Sequence, residues 1–412
     1  MITQYTTKIQ VSRLKPLVAA ISLLAIAGHA SAVGVGTVAG GAATINTNGA
    51  TTTINQSTDR AVVNWNNFDI GAGQSVKINQ PTAQSAILNR VNSASKTQID
   101  GVLNANGRVF VVNPNGVVVG KTGSINANGV VLSTLDVSNA NFTQSPTYLS
   151  FRKVAGATAG ASVVNDGTIT AGAAGVSLFG SQVINGTTGN IAANGNPNTA
   201  YGSGWTAVNL IASNSVDTIS TPSGGDFINN YGGIGNWNSL VSNGLVANDG
   251  AIKVGTGDVT LSIAGGPGVV NDVIRNTGSI RASDGAVTIQ NWGNNGKTQI
   301  GGTISGSTVG IGSATDTVID GTINADSIII ASYDIYGSSS KGVNLVVADN
   351  ANLQSTGYVN LTGDNVAVTG HVTAGTTAEV LGFKQASVQQ GELNAPYWTI
   401  NDGGKVTTNR DK

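Results

Sequence analysis

GVLNANGRVFV (residues 101–111) and GSINANGVVLS (residues 123–133) are two versions of one phrase. Leu103 and Ile125 hold the same place in it and stand 22 residues apart. DGTITAGAAGVSLFG (166–180) puts Ile169 another 44 residues on, read as two periods, and GNIAANG (189–195) puts Ile191 at the next 22. Further copies are GAIKVGTGDVTLSI (250–263), GSIRASDGAVTI (278–289), GTISGSTVGIG (302–312) and GTINADSIII (321–330). The offsets of Ile169, Ala171, Val176 and Leu178 return in Ile252, Val254, Val259 and Leu261, and again in Ile280, Ala282, Val287 and Ile289. A compact form, two residues shorter at the bend, gives Ile323, Ala325, Ile328 and Ile330.

Alternation of period two within each half of a copy predicts two short strands facing one interior, joined by a Gly/Asn/Asp bend. So small a unit cannot bury its apolar face alone. Stacking lets each strand pair with its counterpart ~4.8 Å above and below. The expected fold is all-β: a right-handed parallel β-helix of roughly 17 coils and very roughly 80 Å. A hairpin stack or a β-sandwich accounts less well for the recurring offsets. Asn at the bends tolerates left-handed backbone, and stacked Asn side chains can bond into ladders.

Composition agrees. Of 412 residues 57 are Gly and only 5% are aromatic, while 40% are hydrophobic, enough to form a core. Charged residues make up 10% and the net charge is −1, leaving no electrostatic case for nucleic acid or an anionic membrane. There is no cysteine, so neither disulfides nor cysteine metal sites contribute.

Residues 1–32 read as a signal peptide: Lys8, Arg13 and Lys15, then an apolar run from Leu17 to Ala27, then Ala30-Ser31-Ala32 as the cleavage pattern. The run is far short of the roughly 20 residues a spanning helix needs, and no later segment supplies one. The exposed edge of the first coil needs a cap. Trp65, Phe68 and Ile70 in WNNFDI (65–70) are assigned that role, with an exposed aromatic ligand platform as the alternative. Residues 196–240 break the period and carry Tyr and Trp, which predicts an extra-helical insertion over one face.

Catalysis is not expected. Acid/base or calcium chemistry needs clustered carboxylates, whereas Asp residues here stand singly in turns such as Asp166-Gly167, Asp249-Gly250 and Asp320-Gly321. After residue 32 there is one histidine, His371, read as a solvated coil-edge residue. No nucleophile elbow, P-loop or metal-ligand cluster is present, so the expectation is no catalytic residue, no metal and no cofactor.

In RVFVVNPNGVVVG (108–120), Asn113, Pro114, Asn115 and Gly116 fit a type I turn. Four motifs in order, WNNFDI (65–70), ILNRV (87–91), GRVFVVNPNGVVVG (107–120) and GVVLSTLDVSN (129–139), resemble the N-terminal secretion domain of two-partner-secreted proteins, the filamentous-haemagglutinin family. The likeness is nearest to the high-molecular-weight adhesin branch, since the Asn-Pro-Asn-Leu motif of other members is absent. The resemblance implies Sec export, recognition of the unfolded N-terminal region by an outer-membrane TpsB-type barrel with periplasmic POTRA domains, and a secreted or cell-surface product. It carries over Asn89, Arg90 and Val91, Asn113 to Gly116, and Ser133, Thr134 and Leu135 as the recognition and folding set. Asn113–Gly116 are either a structural turn or a direct contact, and Arg90 either a paired guanidinium or a docking contact.

The expected organisation is a signal peptide (1–32), a secretion domain with cap and insertion (33–240), further coils (241–375) and a terminal coil or cap with a polar tail (376–412). The expected function is attachment or biofilm contact through a host-cell or matrix ligand. The alternatives are a ligand-capturing exoprotein such as a haem-acquisition factor and, third, a carbohydrate-active enzyme.

Overall fold

The computed structural model describes residues 33–144, 148–195, 206–220, 226–227, 241, 243–264, 271–293, 296–335, 342–389 and 392–409. The expected signal peptide, with Ala30 and Ala32, lies outside the described residues, as does most of 196–240. Among the described residues, strands dominate and the helix is one short segment, α1 (Asn139–Gln144).

The chain is a parallel β-helix with three strands per coil, where two were expected. Val117–Val119, Ser124–Ala127 and Gly129–Ser133 make one coil. Ser124–Ala127 bonds in parallel to Val102–Ala105 on one side and to Thr168–Ala171 on the other. Gly129–Ser133 and Val117–Val119 do the same on a second and a third face. The third strand, in copies such as SVVN (162–165) and VIRN (273–276), lies just ahead of each repeated phrase and was not counted with it.

Ile125 pairs directly with Ile169, and Ile191 directly with Ile252. The 44-residue interval is therefore one coil, not two periods, and residues 134–161 leave the stack and return within it. On the first face, twelve successive parallel pairings link Thr51–Gln56 to Leu393–Asn394, hence thirteen rungs instead of 17, spanning roughly 60 Å. The excursions consume the chain that the missing coils would have used.

The predicted offsets do share one dry interior. Ile125, Ile169, Ile191, Ile252, Ile280, Ile304 and Ile323 stack on consecutive rungs, each essentially inaccessible. Each such side chain contributes about 1.5–3 kcal/mol by leaving water. The Asn ladder also forms. Asn165, Asn185, Asn248 and Asn276 end successive third-face strands, fully buried, and each Nδ2 donates to the next Oδ1 at 2.7–2.8 Å. Val119 flanks it on one side and Ile300 on the other.

The N-terminal cap is antiparallel. β1 (Gly36–Gly40) lies against β4 (Arg60–Trp65), and β2 (Ala43–Asn48) against β3 (Thr51–Gln56). Trp65, Phe68 and Ile70 are buried beneath, with the Trp65 and Phe68 rings 5.1 Å apart. A Cβ on Gly36 would stand 2.6 Å from the Trp65 ring, so only glycine lets β1 cover the indole. These aromatics seal the core and offer no platform to solvent.

The insertion is smaller than expected. Within 196–240, Thr206–Ala212 is a regular coil strand, paired in parallel with Val176–Gly180 and Asp258–Ile263. It read as non-repeating because ten residues, 196–205, separate it from the last repeated phrase and the chain leaves the stack after it. Ser215–Ser220 lies outside the coils and pairs antiparallel with Tyr148–Arg152 from the earlier excursion, and with Asp226–Phe227. With α1, this sheet covers the second face and builds a second core outside the helix. Phe110 and Phe179 come from coil strands, Phe142 from α1 and Phe151 from the cover, with adjacent rings 5.1–6.3 Å apart.

Candidate functional site

The residues assigned to recognition converge. Asn89–Val91, Asn113–Gly116 and Ser133–Leu135 fall on three successive rungs, at or beside the corner where the second face turns into the third. Asn89 points inward, where its Oδ1 accepts from Trp65 Nε1 (3.0 Å) and its Nδ2 donates to the Phe110 carbonyl (3.3 Å). It thereby satisfies the one polar atom of the cap's indole. Val91 is part of the interior.

Arg90 points outward and is fully engaged. Nε lies 2.9 and 3.0 Å from the two Asp136 oxygens, Nη1 reaches Asn64 and Asn139, and Nη2 donates to the Val137 carbonyl at 2.6 Å. Of the two alternatives for Arg90, the folded chain has the paired guanidinium. Asp136 exchanges backbone bonds with Arg152, whose guanidinium pairs with Asp217 at 2.6 Å. One polar chain thus runs from coil to α1 and across the covering sheet. Burial raises the Asp217 carboxyl, but hydrogen bonds from Arg152, Ser150 and Tyr148 prevail and hold it below its ordinary value.

Asn113–Gly116 close as predicted, with Gly116 N donating to the Asn113 carbonyl at 2.9 Å. The Asn113 side chain is buried and saturated: Oδ1 accepts from Asn115 N, and Nδ2 donates to Ser95 O and Thr97 Oγ1. Asn115 Nδ2 donates to Ser93 O at 2.6 Å, and its Oδ1 accepts from Thr158 Oγ1. Gly116 has φ +119°, and a Cβ there would lie 3.1 Å from Ser162 O, so the turn requires glycine. Ser133 Oγ bonds both the Leu135 N–H and its carbonyl at 2.8 Å. Thr134 N donates to Phe179 O, and the Leu135 side chain enters the second core.

Asn89, Asn113 and Ser133 have no accessible surface, and Val91, Thr134 and Leu135 have almost none. In the folded chain these six are internal structure, while Arg90, Pro114 and Asn115 are half-buried at the corner. Sequence reasoning missed Asp136, Asn139 and Thr158, which hold the set from the excursion. The available signal was Phe110 and Phe179, outward aromatics at positions where alternation calls for polar side chains.

Elsewhere, His371 is solvent-facing as expected, its Nδ1 paired with Glu392. Among the described residues no cluster of His, Cys, Asp and Glu could hold a metal ion, and no helix is long and apolar enough to cross a membrane.

A cap, a coil corner closed by Asn-Pro-Asn-Gly and a pinned extra-helical cover define a capped β-helix with its own outer core. The TPS secretion domain profile matches residues 30–320, most of the chain, and the protein belongs to that family of two-partner secretion exoproteins. It is similar to the heme/hemopexin-binding protein of Haemophilus influenzae strain Rd, 38% identical over 97 residues, covering 24% of this chain and 11% of the relative. A second Haemophilus influenzae heme/hemopexin-binding protein is 39% identical over 85 residues, 21% of this chain and 9% of the relative. The matches thus span about a tenth of the length of these curated relatives. The crystal structure of the HMW1 secretion domain from Haemophilus influenzae superposes with a TM-score of 0.61 at 25% identity, over 89% of this chain and all of that one.

Proposed function

We propose that the chain is exported by an outer-membrane TpsB-type barrel whose periplasmic POTRA domains read residues 89–135 before they fold. The burial of Asn89, Asn113 and Ser133 carries this reading, because side chains inside the finished coil can meet a partner only in the extended chain. An extended segment can add a strand to an edge on a docking domain. On the far side each finished rung presents the edge on which the next one forms, so folding biases motion outward.

The test is binding of the full chain to immobilised periplasmic domains, folded or freshly diluted from urea. Only the unfolded chain should bind, and Asn89→Ala with Asn113→Ala should weaken it about tenfold (~1.4 kcal/mol). Equal binding by the folded chain would overturn the proposal. Gly116→Ala separates the roles: a chain that still binds but no longer refolds assigns the turn to folding alone.

Once outside, the solenoid serves attachment to a host-cell or matrix ligand, with no catalytic step. The support is an exposed β-helix face that the cap and cover leave open. Wild-type chain should bind cells or matrix in a saturable manner, and its failure to do so sinks this reading. Capture of haem or a haem carrier is the second reading, favoured by the likeness to two heme/hemopexin-binding proteins. Spectral titration with haem and with hemopexin tests it directly.

A further inference from the structure

Two hollows lie side by side on the distal coils. One, of about 1020 Å³, follows the corner between the first and second faces and is lined by hydroxyls and amides, among them Ser305, Asn324, Gln354 and Thr356. The other, of about 650 Å³, opens on the second face between Ile329, Tyr358, Asn360 and Glu379. Thr356 borders the first and Tyr358 the second, with only Gly357 between them.

Here the second face changes character. One outward column runs Thr260, Thr288, Gly310, then Ile329, Asn360 and Glu379. Ile329 (37%), Tyr358 (42%) and Tyr397 (52%) are large apolar side chains left in water. Val359 pairs with Ala378, so Tyr358 stands one rung from Thr377, which pairs with Tyr397. The two tyrosines are therefore two rungs apart, about 10 Å, close to the length of two linked pyranose rings.

The polar groups are already oriented. Asn360 Nδ2 donates to Glu379 Oε2 at 2.8 Å, Thr362 Oγ1 to Asn360 Oδ1 at 2.7 Å, and Thr356 Oγ1 to Asp326 Oδ1 at 2.9 Å. Each carboxylate keeps lone pairs for further donors. The lining carries Arg281 against Asp284, Asp326 and Glu379, one cation against three acids, which repels a polyanion.

We propose that this double hollow, with the Tyr397 ring one rung beyond its Thr377, binds a neutral β-linked oligosaccharide, its sugar C–H faces on Tyr358 and Tyr397 and its hydroxyls on the Asn, Thr and carboxylate groups. An aromatic ring offers an apolar face at little entropic cost, and fixed amide and carboxylate groups supply direction. The charge balance selects a neutral glycan over a sulfated or uronic one. This names a ligand class for the attachment reading and rests on it.

The experiment is calorimetric titration of the full folded chain with N-acetylchitotetraose, cellotetraose and heparin. At least one neutral tetrasaccharide should bind with a Kd of about 1 mM or tighter, and heparin should give no heat. Tyr358→Ala should weaken binding about tenfold and Tyr358→Phe less than about threefold, since the ring and not the hydroxyl supplies the platform. No heat from either neutral tetrasaccharide at about 10 mM, equal binding by Tyr358→Ala, or preference for heparin would each overturn the proposal. Cell binding by wild type separates the two failures: binding that survives Tyr358→Ala sinks the hollow and spares attachment, whereas no binding by wild type sinks attachment itself.

Discussion

The second face has two histories along one solenoid. From Arg60–Trp65 to Thr206–Ala212 its outer side is apolar and aromatic, and α1 with the three-stranded sheet covers it. From Thr303–Ser313 onward it is bare, and the strands lengthen until Asn352–Val368 runs through three faces without a break. The interior hardly changes between the two regions. A repeat therefore fixes only the inward half of each strand, and the outward half is free to hold a cover in one region and to meet solvent and ligand in the other.

The largest test breaks the covered region. Phe151 is inaccessible and lies 5.6 Å from Phe179, so Phe151→Ala should cost about 3–5 kcal/mol in chemical denaturation. Phe383 on the bare region, 54% exposed and edge-on to Tyr333, should cost less than about 1 kcal/mol on the same change. Equal costs would mean that the cover adds no second core.

The next test lies between the regions, at Asp272. Its carboxyl is inaccessible, Oδ1 accepts from Gly244 N at 2.7 Å, and Oδ2 has no partner. Burial pushes its pKa up to about 7 from an ordinary 3.8. The folded value lies above the unfolded one, so the cost of ionisation grows as pH rises between these values and is fully present above about 7. Asp272→Asn keeps an acceptor for Gly244 and removes the charge. Wild type should lose roughly 2–4 kcal/mol between pH 4 and pH 8 at this site, and the variant should not. The same slope in both proteins would place the titrating group elsewhere.

The smallest test asks whether the recognition corner is special as structure. Ser313 repeats the bonds of Ser133, its Oγ meeting the Thr315 N–H and carbonyl at 3.1 and 3.0 Å. Ser133→Ala and Ser313→Ala should each cost about 1 kcal/mol. A secretion defect confined to Ser133→Ala, at equal stability, would then belong to the transporter.

The interior was legible because Ile, Val and Leu recur at fixed offsets and every inward position serves the same cavity. The cap was legible from Trp65 and Phe68, bulky residues in an aromatic-poor chain. What stayed hidden has a common cause. Residues 134–161 stretched the interval from Ile125 to Ile169 to two periods, so spacing alone could not tell an excursion from a coil, and Thr206–Ala212 was lost in a stretch without the repeated phrase. The set assigned to recognition was picked out through its motifs, one of which contains Asp136, whereas Thr158 belongs to the excursion and carries neither motif nor repeat.

The four buried amides of Asn165, Asn185, Asn248 and Asn276 have a further consequence. The three bonds between them all run the same way, and the Asn165 Oδ1 at the start of the row has no donor. In a molecule whose rungs are otherwise nearly interchangeable, a coil skipped or counted twice would strand an amide against Val119 or Ile300. The row works as a tally mark, letting a polymer of look-alike turns keep count of itself as it assembles.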